Sequence, residues 1–113
     1  MASKSKSKSI KDALDNLDNQ VVGVVSEFVK RRRGQYEEAA ARLHQSLKED
    51  AARYAEMLAD EKISKEDFEF LMKGRYAQMK IELLSEVAIS KAKFDEIVGE
   101  VLKITIKVLL VVI

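Results

Sequence analysis

The chain contains no cysteine, no proline and only four glycines among its 113 residues. Without cysteine there can be no disulfide bond, no thiolate metal site and no cysteine nucleophile, so stability has to come from packing. Without proline, and with little glycine, few helix breakers interrupt a sequence rich in alanine, leucine, glutamate and lysine. These features predict an all-α protein.

The chain also lacks an excess of charge of one sign, because 20 basic residues nearly balance 19 acidic ones and leave a net charge of +1. Overall electrostatics therefore do not favour nucleic acid as a partner. The sequence has no paired nucleophile and base, no glycine-rich phosphate loop and no metal-ligand spacing. We expect a non-enzymatic protein with no cofactor, no metal and no small-molecule substrate.

Residues 3–8 alternate serine with lysine, and the segment lacks the apolar run of a secretory signal peptide. We expect residues 1–8 to form a flexible tail and residues 9–113 a single helical domain, cytoplasmic by default. A second basic segment precedes Gly34. The tail is typical of a disordered, solubilising leader, and the arginines are typical of the carboxyl end of a helix. The alternative for both segments is a contact with phosphate or with lipid headgroups. That contact would use Lys4, Lys6, Lys8, Arg31, Arg32 and Arg33.

Apolar spacing predicts four amphipathic helices, the first with the heptad repeat of a coiled coil, at about residues 9–33, 35–60, 64–88 and 90–111. Ser9 and Asp12 are spaced as in a capping box, and Gly34 is the expected stop of the first helix. Ser64 and Ser90 each follow an isoleucine and precede a phenylalanine by four residues, which predicts two further helix starts. The helices would form an antiparallel bundle, or two long hairpin arms that assemble with other copies.

The third predicted helix carries two apolar stripes, which imply a position at the centre of the fold, with the second helix on one flank and the fourth on the other. One stripe comprises Phe68, Met72, Met79, Leu83 and Val87, and the other comprises Phe70, Ala77, Ile81, Leu84 and Ala88. The second stripe passes through Gly74. Because glycine inside a helix costs on the order of 1 kcal/mol relative to alanine, Gly74 indicates close packing of another helix, or a bend.

The second predicted helix is alanine-rich and strongly charged, with acid four residues before base at Glu38/Arg42 and Glu49/Arg53. We expect it to be the most soluble helix and to pack on one side only. His44, the chain's only histidine, has no acidic residue three or four positions away to complete a metal-binding pair. We expect His44 at the surface or at its boundary.

The chain ends on six consecutive apolar residues, 108–113, which a soluble monomer rarely leaves uncovered. As a helix, this segment is apolar on every side after Lys107. As a strand, its alternation over residues 103–108 would require pairing with another copy. The uncharged run is much shorter than the roughly 20 residues of a membrane span. The remaining explanations are closure of a bundle or dimer, partial insertion into lipid, or a cut within a longer chain.

We therefore expect a helical protein that self-assembles or interacts through apolar helix faces, most simply as a homo-oligomer. The alternative is a membrane-inserting or pore-forming subunit, and a third hypothesis is weak nucleic-acid binding through the basic segments. The predicted interface with protein or lipid consists of Val101, Leu102, Ile104, Ile106, Val108, Leu109, Leu110, Val111, Val112 and Ile113.

Overall fold

The structure, a computed structural model, describes residues 4–25 and 33–113, and within them the side chains at all positions except 4–6, 19, 22–25 and 33. The described chain folds into four helices: α1, Lys4–Val25; α2, Arg33–Ala59; α3, Lys65–Leu83; and α4, Lys91–Val112. No strand occurs within the described ranges. The prediction of an all-α fold with four helices is confirmed.

The helices pack as an antiparallel bundle in which α2 and α4 face each other across the centre. α1 and α3 each contact both of these helices, and α2 also contacts α4. Two contacts of α2 establish the direction. The Asp50 carboxylate meets the Arg75 guanidinium of α3, whereas Arg42, earlier in α2, donates to the backbone carbonyl oxygen of Glu86, beyond the end of α3. The bundle, rather than two open hairpin arms, is therefore the architecture.

Two predictions about the middle helices are wrong. α2 packs against three neighbours instead of one, because its alanines are small enough to bring other helices close; Ala40, Ala51 and Ala55 are essentially fully buried. α3 contacts α2 and α4, as expected, but it lies at the edge of that pair instead of at the centre. It is buried on one face only, formed by Phe68, Met72, Tyr76, Met79 and Leu83.

The core consists of aliphatic and aromatic side chains contributed by all four helices. Burying each large apolar side chain stabilises the fold by roughly 1.5–3 kcal/mol relative to leaving it exposed. The largest fully buried apolar side chains are Tyr76, Phe68, Phe94, Ile10, Leu14, Leu17, Leu43, Leu47, Met72, Ile97 and Leu109. Thr105 is also buried, and its hydroxyl donates to the carbonyl oxygen of Val101 at 2.7 Å, which satisfies it locally.

The observed helix ends differ from the predicted ones in several places. α1 begins at Lys4, five residues before the predicted start at Ser9, and Gly34 is the second residue of α2. The prediction that Gly34 ends the first helix is therefore wrong, and residues 26–32, which include most of its predicted last turn, lie outside the described part of the chain. α3 ends at Leu83 rather than at residue 88, and a turn over residues 84–86 follows.

The two serine motifs begin helices as predicted. The Ser64 hydroxyl accepts from the Asp67 amide at 3.0 Å, and the Asp67 carboxylate accepts from the Ser64 amide at 3.3 Å, which completes a capping box. The Ser90 hydroxyl accepts from the Lys93 amide at 3.2 Å without the reciprocal bond. Because Ser90 begins a new helix, α3 and α4 are separate helices and not one kinked rod.

The last segment is helical up to Val112, which resolves the choice between helix and strand for residues 103–113. Leu109 is fully buried, and most of its apolar neighbours are half-buried against the core. Val111 is the exception, with 80% of its side chain exposed. Much of the apolar carboxyl-terminal surface is thus covered by the chain's own helices.

Removing the Ser64 cap is expected to destabilise the fold by about 1 kcal/mol. Ser64→Ala loses the hydroxyl that accepts from the Asp67 amide but keeps the backbone N–H that donates to the Asp67 carboxylate. Ser90→Ala likewise loses one accepted bond, so the two variants should cost about the same. Chemical denaturation of both variants measures the loss, with the exposed Ser46→Ala within α2 as the control that should cost nothing. A loss in neither variant relative to Ser46→Ala would contradict this account.

Replacing Tyr76 by phenylalanine is expected to leave stability unchanged or raise it by up to about 1 kcal/mol at neutral pH. The Tyr76 hydroxyl is buried and has no hydrogen-bond partner of good geometry among the described residues, although the Thr105 hydroxyl is near enough to affect its pKa. Burial raises the pKa of Tyr76 from 10.0 to about 12, with Thr105 acting weakly in the opposite direction.

The same substitution should change the alkaline limit of stability. The pKa of Tyr76 is higher in the folded protein than in the unfolded chain. The part of the free energy of unfolding that depends on the neutral Tyr76 hydroxyl is therefore fully present below pH 10 and is lost as the pH rises toward 12. Tyr76→Phe removes this part of the alkaline loss, and thermal unfolding across that pH range measures it. Tyr36→Phe, at a half-buried tyrosine, is the control. A marked loss of stability in Tyr76→Phe at neutral pH would show that the hydroxyl is paired.

Candidate interaction surface

A cluster of polar side chains joins α1 to α2 along one side of the bundle. The Lys48 ammonium lies 2.8 Å from an Asp15 carboxylate oxygen and 3.2 Å from an Asp18 carboxylate oxygen. Gln45 donates to the same Asp18 carboxylate at 3.0 Å. These contacts span two helices, so the cluster contributes to their pairing.

His44 belongs to the same cluster and is only 1% exposed, so the prediction of a surface or boundary position is wrong. Its Nε2 lies 2.9 Å from the Leu14 carbonyl oxygen and 3.1 Å from an Asp18 carboxylate oxygen. Both neighbours are acceptors, so Nε2 carries the proton and donates. The histidine therefore links α1 and α2 from inside the core.

The position of His44 was detectable from the spacing of its neighbours. Ala40, His44, Leu47 and Ala51 recur at four, three and four residues, which places them on one helical stripe. Because the other members of this stripe are apolar and buried, the histidine between them is buried as well. The lack of metal-ligand spacing around His44 bears on its role and not on the face of the helix that it occupies.

The cluster does not assemble a metal site. Among the described residues, no group of three or more histidine, aspartate or glutamate side chains is placed to hold a metal ion. The Asp15 and Asp18 carboxylates are already paired with Lys48. The hydrogen bond to Lys48 lowers the pKa of Asp15, and the matching bond to Asp15 raises the pKa of Lys48.

A groove of about 690 Å³ runs beside this cluster, between α1 and α2. Its walls carry both signs of charge, with Lys8, Lys11 and Arg53 near Asp15 and Glu56, and Leu14 and Ala52 line it as apolar residues. A mixed lining does not select a ligand of either charge.

The predicted anion-binding residues are described only in part. Lys8 is exposed and lines the groove between α1 and α2. The side chains of Lys4, Lys6 and Arg33 lie outside the described side chains, and Arg31 and Arg32 lie outside the described residues. The headgroup or phosphate contact stays a prediction.

The predicted carboxyl-terminal interface residues occupy three environments. Val101 and Leu109 are fully buried in the bundle core, and Val111 is exposed. The others are half-buried against the core: Leu102, Ile104, Ile106, Val108, Leu110, Val112 and Ile113. No helix in the described part of the chain is long and apolar enough to cross a membrane. The interface itself stays a prediction.

A different helix exposes the broader apolar surface. Phe70 and Ile81 of α3 are 76% and 73% exposed, and the exposed Gly74 and Ala77 lie between them. At about 100° per residue, these four positions fall within roughly 60° of one another, on the side of α3 opposite its buried face. We call Phe70, Gly74, Ala77 and Ile81 the α3 outer stripe.

The same four-residue spacing on α2 is entirely polar. Glu38, Arg42, Gln45 and Glu49 are all exposed, as expected for the solvent side of a surface helix. The α3 outer stripe has no charged residue over the corresponding three turns. Of the predicted second stripe of α3, Leu84 is half-buried against the core, but the other members are exposed, so the expectation that the stripe packs within the chain is wrong for most of it.

Gly74 has no packing role within the described chain. A Cβ atom added at this position would meet nothing within 4 Å. Glycine at such a helix position costs about 1 kcal/mol relative to alanine. The close approach of another helix that Gly74 predicts is therefore not made by α1, α2 or α4.

Comparison with known proteins adds no relative. No family model, no curated protein and no solved structure matches this chain. The functional argument therefore depends on the chain's own surface.

The ion pair between Asp15 and Lys48 should stabilise the fold at neutral pH, and this contribution should be lost in acid. The pKa of Asp15 is lowered below its usual 3.8 in the folded protein, so the contribution is present above that pH and is lost as the pH falls through the folded-state pKa. Lys48→Met should therefore lower the melting temperature at neutral pH and reduce the further fall between about pH 4 and pH 2.

Thermal unfolding followed by circular dichroism across this pH range measures both effects. Lys62→Met, in the turn between α2 and α3, is the matched control, because Lys62 is exposed and distant along the chain from Asp15. An unchanged acid response in Lys48→Met would contradict the assigned pairing.

Proposed function

We propose that this protein is a non-enzymatic helical interaction protein that binds another amphipathic helix on the α3 outer stripe. The observation that carries the proposal is the exposure of Phe70 and Ile81 on the solvent side of a helix whose opposite face already fills the core. Large apolar side chains aligned on one exposed helix face are typical of sites where a second helix binds.

The spacing of the stripe supports a helix as the bound element. Phe70, Gly74, Ala77 and Ile81 follow the four-three-four pattern of a heptad seam, in which side chains of one helix enter gaps between those of the other. The stripe extends over about 16 Å of helix, or three turns. Such a surface matches three turns of a partner helix and is too narrow to bind the broad surface of a globular protein.

The carboxyl-terminal segment supports this proposal less strongly than the sequence indicates. Val101 and Leu109 are buried, so the apolar run that motivated the interface and the membrane alternative already contributes to the core. Val111 is the exposed residue of the run, and it has no second large apolar neighbour of similar exposure. We therefore assign the interaction to α3.

A designed helix tests the proposal. The probe is a synthetic peptide of three heptads, about 21 residues, with leucine at the a and d positions and glutamate or lysine elsewhere. Added to the ¹⁵N-labelled full chain, it should shift amide resonances of α3 around the stripe. Ile81→Glu should weaken binding by roughly tenfold or more, because it places a charge within the apolar contact.

Two controls define the result. Val111→Glu changes an equally exposed apolar residue on α4 and should leave peptide binding within about twofold. A peptide with serine at all a and d positions should not bind. Absence of binding by the leucine peptide, or equal binding by wild type and Ile81→Glu, would overturn the proposed function.

A further inference from the structure

The α3 outer stripe has the same order of side-chain sizes in both directions. Phe70 and Ile81 are equally distant from the midpoint between Arg75 and Tyr76, and so are Gly74 and Ala77. The stripe therefore reads large, small, small, large along α3. A surface that is related to itself in this way can meet its own copy across a two-fold axis.

We propose that the helix bound by the α3 outer stripe is α3 of a second copy of this chain, in an antiparallel two-fold pair. The inference rests on the proposed function and names its partner. In this arrangement Phe70 of each copy faces Ile81 of the other, and Gly74 faces Ala77. The small residues lie where the helices cross, and the large ones pack on either side.

Gly74 acquires a role in this arrangement. Helix axes usually lie about 8–10 Å apart, and small residues at the crossing allow the shorter distances. Space around Gly74 is open, because an added Cβ would meet nothing within 4 Å in the single chain. The partner's backbone fills that space in the pair.

The acidic first turn of α3 and the helix dipole both favour the antiparallel direction. The first turn carries Glu66 and Asp67, whereas Lys80 near the other end is paired with Asp95 of α4. Antiparallel pairing keeps the acidic first turns of the two copies apart and opposes the two helix dipoles. Parallel pairing would bring the two acidic ends together.

The size of the stripe indicates how strongly the copies associate. Stable dimers bury about 800 Å² on each partner, and three turns of one helix supply less than that. The dimer is therefore weak and in exchange with monomer. Assembly is expected only toward high micromolar or higher concentrations of the chain, or where another interaction already brings copies together.

Sedimentation equilibrium of the full chain, from about 20 µM to about 1 mM, tests the dimer. The wild type should show a monomer–dimer equilibrium. Phe70→Glu and Ile81→Glu should each raise the dissociation constant by roughly tenfold or more, whereas Val111→Glu should change it by less than about twofold. A chain that stays monomeric throughout, or that dimerises equally well as Ile81→Glu, overturns the inference.

Substitutions of Gly74 separate dimerisation from folding. Gly74→Leu replaces glycine with a better helix former in open space, so the melting temperature at low concentration should rise. The same side chain blocks the crossing and should raise the dimer dissociation constant by roughly tenfold or more. If Gly74→Leu raised the melting temperature but left the dimer dissociation constant unchanged, the role of Gly74 would be contradicted, even if Phe70→Glu and Ile81→Glu weakened the dimer.

Disulfide trapping determines the direction, because the chain has no cysteine of its own. A mixture of Phe70→Cys and Ile81→Cys chains should form the mixed disulfide, while the second Phe70–Ile81 contact stays native. Equal positions lie about 16 Å apart in the antiparallel pair, so disulfides between identical chains should be rare. Mass spectrometry distinguishes the products, and a predominance of Phe70→Cys homodimers overturns the antiparallel pair.

These results also separate this inference from the proposed function. If the wild type is monomeric but the leucine peptide binds at α3, the partner is a different helix and only the inference fails. If the peptide does not bind and the chain does not dimerise through α3, both fail.

Discussion

The packing of the fold depends on two helices, α2 and α4, that each contact all the others. Each of these helices has neighbours on several sides, and α1 and α3 occupy the two grooves that the pair leaves open. α2 permits this arrangement because several of its buried residues are alanines, while α4 supplies larger side chains such as Phe94, Ile97 and Leu109. α3 therefore has one buried face, and its opposite face points away from the bundle.

Polar contacts refine this packing at the helix pairs on the outside. Asp15 and Asp18 of α1 meet Lys48 and the buried His44 of α2, whereas Asp50 of α2 meets Arg75 of α3 at 2.7 Å. A buried histidine that donates to a backbone carbonyl is costly to shift, because its Nε2–H would lose its acceptors. These contacts favour one alignment of neighbouring helices over others with the same apolar burial.

The surface of the bundle is uneven in a way that bears on function. On α2 the solvent side is charged, but on α3 the equivalent positions are Phe70, Gly74, Ala77 and Ile81. An exposed phenylalanine and isoleucine add nothing to the core of the single chain, and Gly74 weakens the helix that carries it. Association of helices gives all of these residues a common physical explanation.

The sequence by itself determined the fold class, the four helices and the starts of α3 and α4, because these depend on local periodicity and on caps such as Ser64 and Ser90. It also identified both apolar stripes of α3, but not which one the chain would bury. That choice, like the burial of His44 and of the carboxyl-terminal Leu109, depends on which helices become neighbours. Packing between distant segments decides which helices are neighbours. Small residues on α2 allow α1, α3 and α4 to pack against it, and no helix of the described chain then covers the outer side of α3.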